Sequence, residues 1–443
     1  MEYLIITAQF LLSLSILVIL HEFGHYLTAR YFGIRVEKFY LFFNPWFSLF
    51  KKKIGDTEWG IGWLPLGGFV KISGMIDESM DTEQMAQPAQ PWEFRSKPAW
   101  QRLIVMIGGV VVNILVGIII YILVLFTYGA EKVDVNKLSD GMSIHPYMEK
   151  YNLFSGDNII AIDGETVTHT EDINKGILLR GAEILTVITP EGEEKTIELV
   201  EGLDYELFEE GAFPVVGLRA NDVSIAALGD DSVMINAGFM EGDKFLSVNG
   251  QSIQFYDQIT RERYLNKEKD IDVTVLRGTD TVTLTTKVND KGQMGFYGDM
   301  KVVDTSAIST EYYSFGASFG AGISMGYWTW SDYASQLKFL FTKKGAQSLG
   351  GFGTIAKLFP PVWDWYRFWL TTAFISIVLA FMNILPIPAL DGGHVVFLLY
   401  EMITGKEAPQ KVLEYAQYVG IFLLLGLMLY ANGNDIYRAI FGN

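Results

Sequence analysis

The stretch that decides the fold is YLIITAQFLLSLSILVILHEFGH at residues 3–25. Residues 3–20 of this stretch carry no charge, and about 20 apolar residues are enough for a helix to cross a bilayer. The stretch lacks the basic start and the small-residue cleavage site of a signal peptide, and it continues into a His-Glu cluster. It therefore predicts a retained membrane-spanning helix that ends in a charged motif.

Three further uncharged runs have the length of a membrane span, at residues 103–130, 368–390 and 415–434. Together with the first run they predict a polytopic α-helical membrane protein with four transmembrane helices. Many transporters contain an inverted repeat, and the four runs show none, so a polytopic transporter is disfavoured.

The net charge of the chain is confined to one region. The 443 residues include 34 Lys and Arg against 51 Asp and Glu, and residues 131–300 alone account for the resulting charge of −17. The sequence thus predicts one acidic soluble body inserted into an apolar, nearly neutral remainder. It contains no Cys, which excludes disulfides, iron–sulfur clusters and Cys-ligated zinc, and its acidity argues against a nucleic-acid partner.

The distribution of basic residues predicts the orientation of the spans. The segment 28–102 holds ten Lys and Arg, so the positive-inside rule places it in the cytoplasm. Four spans then put both termini and the acidic region outside. A bacterial cell inner membrane fits this arrangement best, with the acidic region in the periplasm and the His-Glu cluster near the cytoplasmic side. The charge bias alone does not distinguish it from an organelle membrane.

The acidic region contains a repeat at an offset of 86 residues, GDNIIAIDGETV at 156–167 and GDKFLSVNGQSI at 242–253. Each copy predicts a Gly-Asp turn, a strand, an Asp-Gly or Asn-Gly hairpin turn and a second strand. The pattern resembles PDZ domains of bacterial proteases, although any repeated β-hairpin could produce it. The predicted boundaries are 1–130 for the first two spans, 131–220 and 221–305 for two PDZ domains, 306–366 for an extracytoplasmic amphipathic linker, and 367–443 for the last two spans.

The motif His21-Glu22-Phe23-Gly24-His25 carries the chemistry. On a helix, residues i and i+4 share a face, so both imidazoles can reach one Zn²⁺ while Glu22 acts as general base. The plain alternative is that these residues only mark the end of the first span. Ionisable groups at membrane depth are costly, however, and are functional candidates for that reason.

Asp391 is the candidate third zinc ligand. A catalytic zinc usually has three protein ligands, and the predicted topology brings the ends of the first and third spans to the same side of the membrane. Taken alone, an Asp before Gly392-Gly393 is an ordinary helix terminus. His394 is a weaker candidate for a fourth ligand.

These features together resemble the site-2 protease family of intramembrane zinc metalloproteases, of the bacterial regulator-of-sigma-E type with two PDZ domains. The resemblance rests on HEFGH at 21–25, NILPIPALDGG at 383–393, the paired repeat, and PLGGFVK at 65–71, which is similar to the family's membrane-associated β-hairpin. Prolines that the family usually has after Gly109 and in the Gly351–Gly353 segment are missing, which leaves local helix geometry open.

The resemblance implies a function for each part of the chain. His21, His25 and Asp391 would bind zinc, Glu22 would activate water, and Asn383 and Asn113 would contact or position the substrate. Substrates would be single-span membrane proteins, namely anti-sigma factors or remnant signal peptides. Independently of the resemblance, the alternating residues 59–64, followed by Pro65 and Gly67-Gly68, suit a hairpin that presents an edge strand to an unwound substrate. Packing or loop geometry is the alternative explanation of this pattern. The rival interpretation is a catalytically silent membrane scaffold that binds peptides through its PDZ pair.

Overall fold

A computed structural model describes residues 1–65, 67–75, 87–229 and 232–441. Leu66, which lies in the predicted hairpin motif, is outside the described residues. The chain divides into two compact units, one formed by residues 1–129 and 312–443 and the other by residues 130–311.

The first unit is mainly helical. Within the described residues, four of its helices are long and apolar enough to cross a membrane, which agrees with the predicted number of spans: α1 (Glu2–Tyr31), α2 (Ala99–Tyr128), α10 (Trp365–Ile384) and α12 (Gln410–Phe441). Its other helices are α7 (Phe315–Gln336), α8 (Lys343–Ser348), α9 (Phe352–Ala356) and α11 (Asp391–Thr404).

The third span is shorter than the apolar run that predicted it. The run continues to residue 390, but α10 ends at Ile384 and is followed by the non-helical segment 385–390. Pro386 and Pro388 explain the difference, because a proline nitrogen has no hydrogen to donate and its ring clashes with the preceding turn. Asp391 consequently begins a new helix instead of closing the span.

Small residues allow the spans to approach closely. A Cβ on Gly24 of α1 would lie 2.4 Å from the carbonyl oxygen of Gly108 on α2, so these two backbones are in direct contact. Farther along α2, a Cβ on Gly117 would meet Ile377 of α10 at 2.7 Å. Close backbone approach at small residues is how membrane helices obtain packing energy without a hydrophobic driving force.

Between α1 and α2 lies a four-stranded sheet with the order β2-β3-β1-β4, built from β1 (Val36–Leu41), β2 (Phe43–Ile54), β3 (Thr57–Leu64) and β4 (Phe69–Ile72). Strands β2 and β3 form a hairpin through a turn at Gly55, whereas β3 and β4, which follow each other in the chain, do not pair. The expectation that residues 59–64 present an edge was therefore wrong. Parallel pairing with β1 buries β3 inside the sheet, and the edges are β2 and β4.

The predicted linker 306–366 contains a helix that packs along the membrane-length helices. On α7, a Cβ on Gly322 or Gly326 would contact Ile122 or Ile118 of α2, and the ring of Trp330 lies 5.0 Å from that of Phe381 on α10. This part of the linker is thus a component of the helical unit.

The second unit is β-rich, with short helices α3 (Thr170–Leu179), α4 (Leu203–Glu210), α5 (Val233–Asn236) and α6 (Tyr256–Leu265). Its strands are β5 (Ala130–Val133), β6 (Met142–Ile144), β7 (Asn158–Ile162), β8 (Glu165–Thr166), β9 (Ile184–Ile188), β10 (Glu194–Glu198), β11 (Val216–Leu218), β12 (Ala220–Leu228), β13 (Lys244–Val248), β14 (Gln251–Ser252), β15 (Asp270–Arg277), β16 (Asp280–Lys287), β17 (Phe296–Val302) and β18 (Ile308–Glu311). The sheets are β10-β9-β7-β8, β11-β6, β16-β15-β13-β12-β17 with β14 on β13, and β18-β5.

The repeat seen in the sequence extends over four elements. The strands β13, β14 and β15 and the helix α6 each begin 86 residues after β7, β8, β9 and α3. The two hairpin turns also match, because Asp163 and Asn249 both adopt positive φ, at 50° and 47°. We refer to residues 130–218 as the first module and to residues 219–311 as the second module.

Candidate metal centre and active site

The cluster begins on the last turns of α1. His21 and His25 are one helical turn apart, and their Nε2 atoms lie 3.3 Å from each other. The polar motif continues the apolar helix without a break, since α1 runs from Glu2 to Tyr31. Both imidazoles are therefore held by one rigid element.

Asp391 reaches the same point from the first turn of α11. Its backbone is positioned by the segment 385–390, in which Ala389 adopts a φ of 73°. The two following glycines are required by space, because a Cβ on Gly392 would lie 2.1 Å from the carbonyl oxygen of Leu385 and one on Gly393 would lie 2.7 Å from that of Ile387. The turn is thus folded tightly against the end of α10.

The three side chains form a nearly equilateral triangle of ligand atoms. Asp391 Oδ2 lies 3.3 Å from His21 Nε2 and 3.4 Å from His25 Nε2. Zinc bonds of about 2.0–2.1 Å at tetrahedral angles place neighbouring ligand atoms about 3.3–3.4 Å apart. Asp391 Oδ2 is buried and has no hydrogen-bond donor among the described residues. The set therefore fits a tetrahedral zinc with one position left for another ligand.

Both imidazoles have a partner on α2 for their second nitrogen. His25 Nδ1 lies 2.9 Å from the carbonyl oxygen of Val105, to which it can donate, and this leaves the Nε2 lone pair for the metal. His21 Nδ1 lies 3.2 Å from the side-chain amide of Asn113. Asn113 is fully buried, and its backbone carbonyl accepts a hydrogen bond from Ser376 on α10.

Gly109 of α2 lies directly against the imidazole rings of the two histidines. A Cβ at this position would lie 2.4 Å from His25 Nε2 and 2.6 Å from His21 Cε1. No side chain larger than hydrogen can be accommodated here while both imidazoles keep their positions. In the sequence, Gly109 stands out only because no proline follows it, and hydrophobic periodicity gives no sign of this contact.

Glu22 faces the sheet as well as the histidines. Its side chain lies near the backbone of Val70 on β4, and a Cβ on Gly68 would lie 3.3 Å from Glu22 Cγ. Strand β4 is at one end of the sheet, and its outer edge pairs with no strand among the described residues. A polar carboxylate and an open strand edge are thus adjacent.

The structure does not bring the other sequence candidates into this cluster. Asn383 lies in the last turn of α10, is partly exposed, and makes no side-chain hydrogen bond to the described residues. His394 lines a separate cavity of about 90 Å³ that also includes Arg102 and Gln417. In the described part of the chain, the metal-ligand group consists of His21, His25 and Asp391.

Comparisons with known proteins agree with this chemistry. The sequence profile of peptidase family M50 matches residues 9–427. A Vibrio cholerae protein named as a zinc metalloprotease is 29% identical, over 97% of this chain and 98% of that protein. The protease RseP of Yersinia pestis is 28% identical over 97% of this chain and 98% of its own length. The regulator of sigma E protease of Haemophilus influenzae is 26% identical over 99% of this chain and all of its own length.

The match covers nearly the whole chain and includes the ligand-bearing helices on both sides of the inserted unit. It confirms the resemblance to the site-2 protease family that the sequence motifs indicated, and with it the prediction of a zinc-dependent enzyme. The chain belongs to peptidase family M50 and is a membrane zinc metalloprotease.

Proposed function

We propose that the protein is an intramembrane endopeptidase that cuts single-span membrane proteins within or near the bilayer. The observation that carries this proposal is the triangle of ligand atoms at 3.3–3.4 Å on membrane-helix ends, with the carboxylate of Glu22 beside it. His21, His25 and Asp391 are the proposed zinc ligands. Zinc bound there would supply a Lewis acid and would make water acidic enough to lose a proton near neutral pH.

Glu22 is the proposed general base. Its side chain is in the same helical turn as both histidine ligands and lies near the backbone of β4 at Gly68 and Val70. A carboxylate in this position can take the proton from the attacking water and pass it to the leaving amine, a role that typically contributes about 10²- to 10⁴-fold in rate.

Substrate would be presented as an added strand at the free edge of β4. A transmembrane helix pairs all of its backbone groups internally, so it must unwind before a carbonyl can be attacked. An unwound segment can then pair with β4, and Gly68 allows this strand to lie within reach of Glu22. Asn383, whose amide makes no hydrogen bond to the described residues, is the proposed donor of a further hydrogen bond to the extended substrate.

Asn113 is better explained as a residue that positions His21 than as a substrate contact. It is buried against the imidazole and tied to α10 through Ser376. Ligation through His21 Nε2 leaves the proton on Nδ1, so the Asn113 amide would present Oδ1 to accept it. Asn113 Oδ1 is buried without a partner in the described structure, and this rotation would satisfy it.

The two modules are proposed to be PDZ domains that limit which substrates reach the membrane site. In the first module, Asn174 of α3 bonds the N–H groups of Val215 and Val216 and the carbonyl of Val216, which lie at β11. A peptide that adds a strand would need these backbone groups. The corresponding residue of the second module, Thr260, makes no such bond to β17 in the described residues. The first module therefore suits a role in excluding bulky substrates.

The proposed location is the bacterial inner membrane, with the modules in the periplasm and the zinc site toward the cytoplasm. The proposed substrates are anti-sigma factors or remnant signal peptides, and a Haemophilus influenzae relative is named a regulator of sigma E protease. A silent scaffold is the rival proposal, and the complete ligand set argues against it.

Trapping tests the proposal. A strain that carries Glu22→Gln should accumulate membrane stubs bound to the protein, and proteomics of the purified complex would identify them. Purified His21→Ala/His25→Ala protein should lack the single zinc of the parent. If the double variant keeps full zinc, the ligand assignment is wrong. If Glu22→Gln retains no membrane protein that the parent releases, no substrate has been trapped, and the proposal that the protein cleaves membrane proteins is contradicted.

A further inference from the structure

The ribbon formed by β2 and β3 has two chemically different ends. One end carries a stack of exposed rings, in which Trp46 and Phe47 lie 6.1 Å and 5.7 Å from the ring of Trp63. Trp46 is 91% exposed although it is one of the largest apolar side chains. The other end carries consecutive lysines at positions 51–53, just before the turn at Gly55.

The two ends lie at different heights along α1. Near the lysine end, the ring of Trp59 lies 5.1 Å from that of Tyr26. Toward the aromatic end, Gly68 approaches Val18 and Glu22. Val18 precedes Tyr26 by about two helical turns, or about 12 Å, so the aromatic end lies that much farther from the Tyr31 end of α1 than the lysine end does. If α1 spans the bilayer, the rings lie at acyl-chain depth and the lysines lie among the headgroups.

The sheet collects positive charge at the lysine end. Lys53, Glu58, Lys38 and Lys71 are direct partners in one row across all four strands. Glu58 has Lys51 4.0 Å away, and Lys71 has Glu37 3.6 Å away, so these two lysines are paired. Lys38, Lys52 and Lys53 have no carboxylate within 4.0 Å among the described residues. Over residues 35–71 there are six basic and three acidic residues, in a chain whose net charge is −17.

We propose that this ribbon binds anionic phospholipid headgroups in the leaflet where α1 ends. The partner is identified by charge complementarity at the lysine end and by apolar rings that belong at the acyl boundary at the other end. Lysines that only face water would not account for the exposed ring of Trp46 on the same ribbon. Anionic lipid would fix the height of the sheet against α1, and this goes beyond the hydrolysis proposed above.

The test uses the full chain in vesicles with Glu22→Gln, so that proteolysis plays no part. Because the chain has no cysteine, Ile54→Cys gives one attachment point for a bimane probe beside the lysines. Quenching by headgroup spin-labelled phosphatidylglycerol is compared with quenching by the same label on phosphatidylcholine. We expect stronger quenching by the anionic lipid, and at Trp46→Cys we expect quenching chiefly by acyl-chain labels.

Removal of two lysines from the ribbon tests whether their charge causes the preference for the anionic lipid. At about 1 kcal/mol per lysine, Lys52→Gln/Lys53→Gln should lower the preference for the anionic lipid by up to about 30-fold. The matched control Lys269→Gln/Lys287→Gln removes two exposed lysines of the other unit and should leave the preference unchanged. Equal quenching by both lipids, or an unchanged preference in the ribbon variant, would overturn the proposal. Disulfide-linked dimers of Ile54→Cys would instead assign the ribbon to contact between copies. None of these outcomes bears on hydrolysis.

Discussion

The substitution Gly109→Ala adds one methyl group directly beneath the proposed zinc ligands. Gly109 lies in the interior of α2, where alanine is a better helix former than glycine, so the intrinsic helix propensity should rise. The added Cβ would nevertheless lie 2.4 Å from His25 Nε2 and 2.6 Å from His21 Cε1. The expected effect is therefore on the metal site and not on the formation of the helix.

The size of the effect follows from these distances. Nonbonded heavy atoms are most stable at about 3.5–4.0 Å, so His25 Nε2 must move by about 1 Å relative to α2. Metal–ligand distances tolerate only about 0.2 Å. Relaxation is limited because Gly24 and Gly108 already hold α1 and α2 in backbone contact. We expect zinc affinity to fall by more than about 100-fold, beyond the usual effect of residues that only support a ligand.

Zinc content of the purified full chain, measured by mass spectrometry after dialysis against a zinc buffer, is the assay. The matched control is Gly426→Ala on α12, where an added Cβ would meet no atom within 4 Å, and it should bind zinc like the parent. Gel filtration of both variants separates metal loss from misfolding. A folded Gly109→Ala protein with the zinc affinity of the parent would refute the placement of both histidines against α2.

Three further predictions concern other parts of the chain. Asp391→Asn replaces an anionic ligand with a neutral amide and should weaken zinc binding by more than about 100-fold or abolish cleavage. Normal zinc content with parental activity would show that Asp391 has only a structural role. Asn113→Ala should lower zinc affinity by about 10- to 100-fold. A raised KM at unchanged zinc content would instead indicate that Asn113 contacts the substrate. Deletion of residues 131–300 should keep zinc and broaden cleavage toward proteins with bulky outer domains, and an identical substrate set would contradict the filter.

The sequence predicted the parts of the site that local periodicity and topology determine. The spacing of His21 and His25 specifies a shared helical face, and the parallel direction of the first and third spans brought Asp391 to the same end. Both inferences need only the chain direction and the helical repeat. The convergence of the three ligand atoms agrees with them.

Contacts between distant backbones were beyond this reasoning. The close approach of Gly109 to both imidazoles depends on how α1 and α2 cross, and glycine has many other roles in a sequence. The parallel pairing of β1 with β3 likewise joins residues that no short turn connects, so the alternating pattern at residues 59–64 was assigned to an edge when it lies inside the sheet. Pro386 and Pro388 could have been used to end the third span earlier than residue 390.

The central claim is that Glu22 acts as the base beside a zinc held by His21, His25 and Asp391. Cleavage of a single-span reporter by the Glu22→Gln protein in liposomes, with zinc measured on the same sample, tests it most directly. Glutamine keeps the volume of glutamate but cannot take the proton, so the account predicts full zinc content and a rate lower by about 10² to 10⁴. Cleavage within a few-fold of the parent at equal zinc content would contradict it.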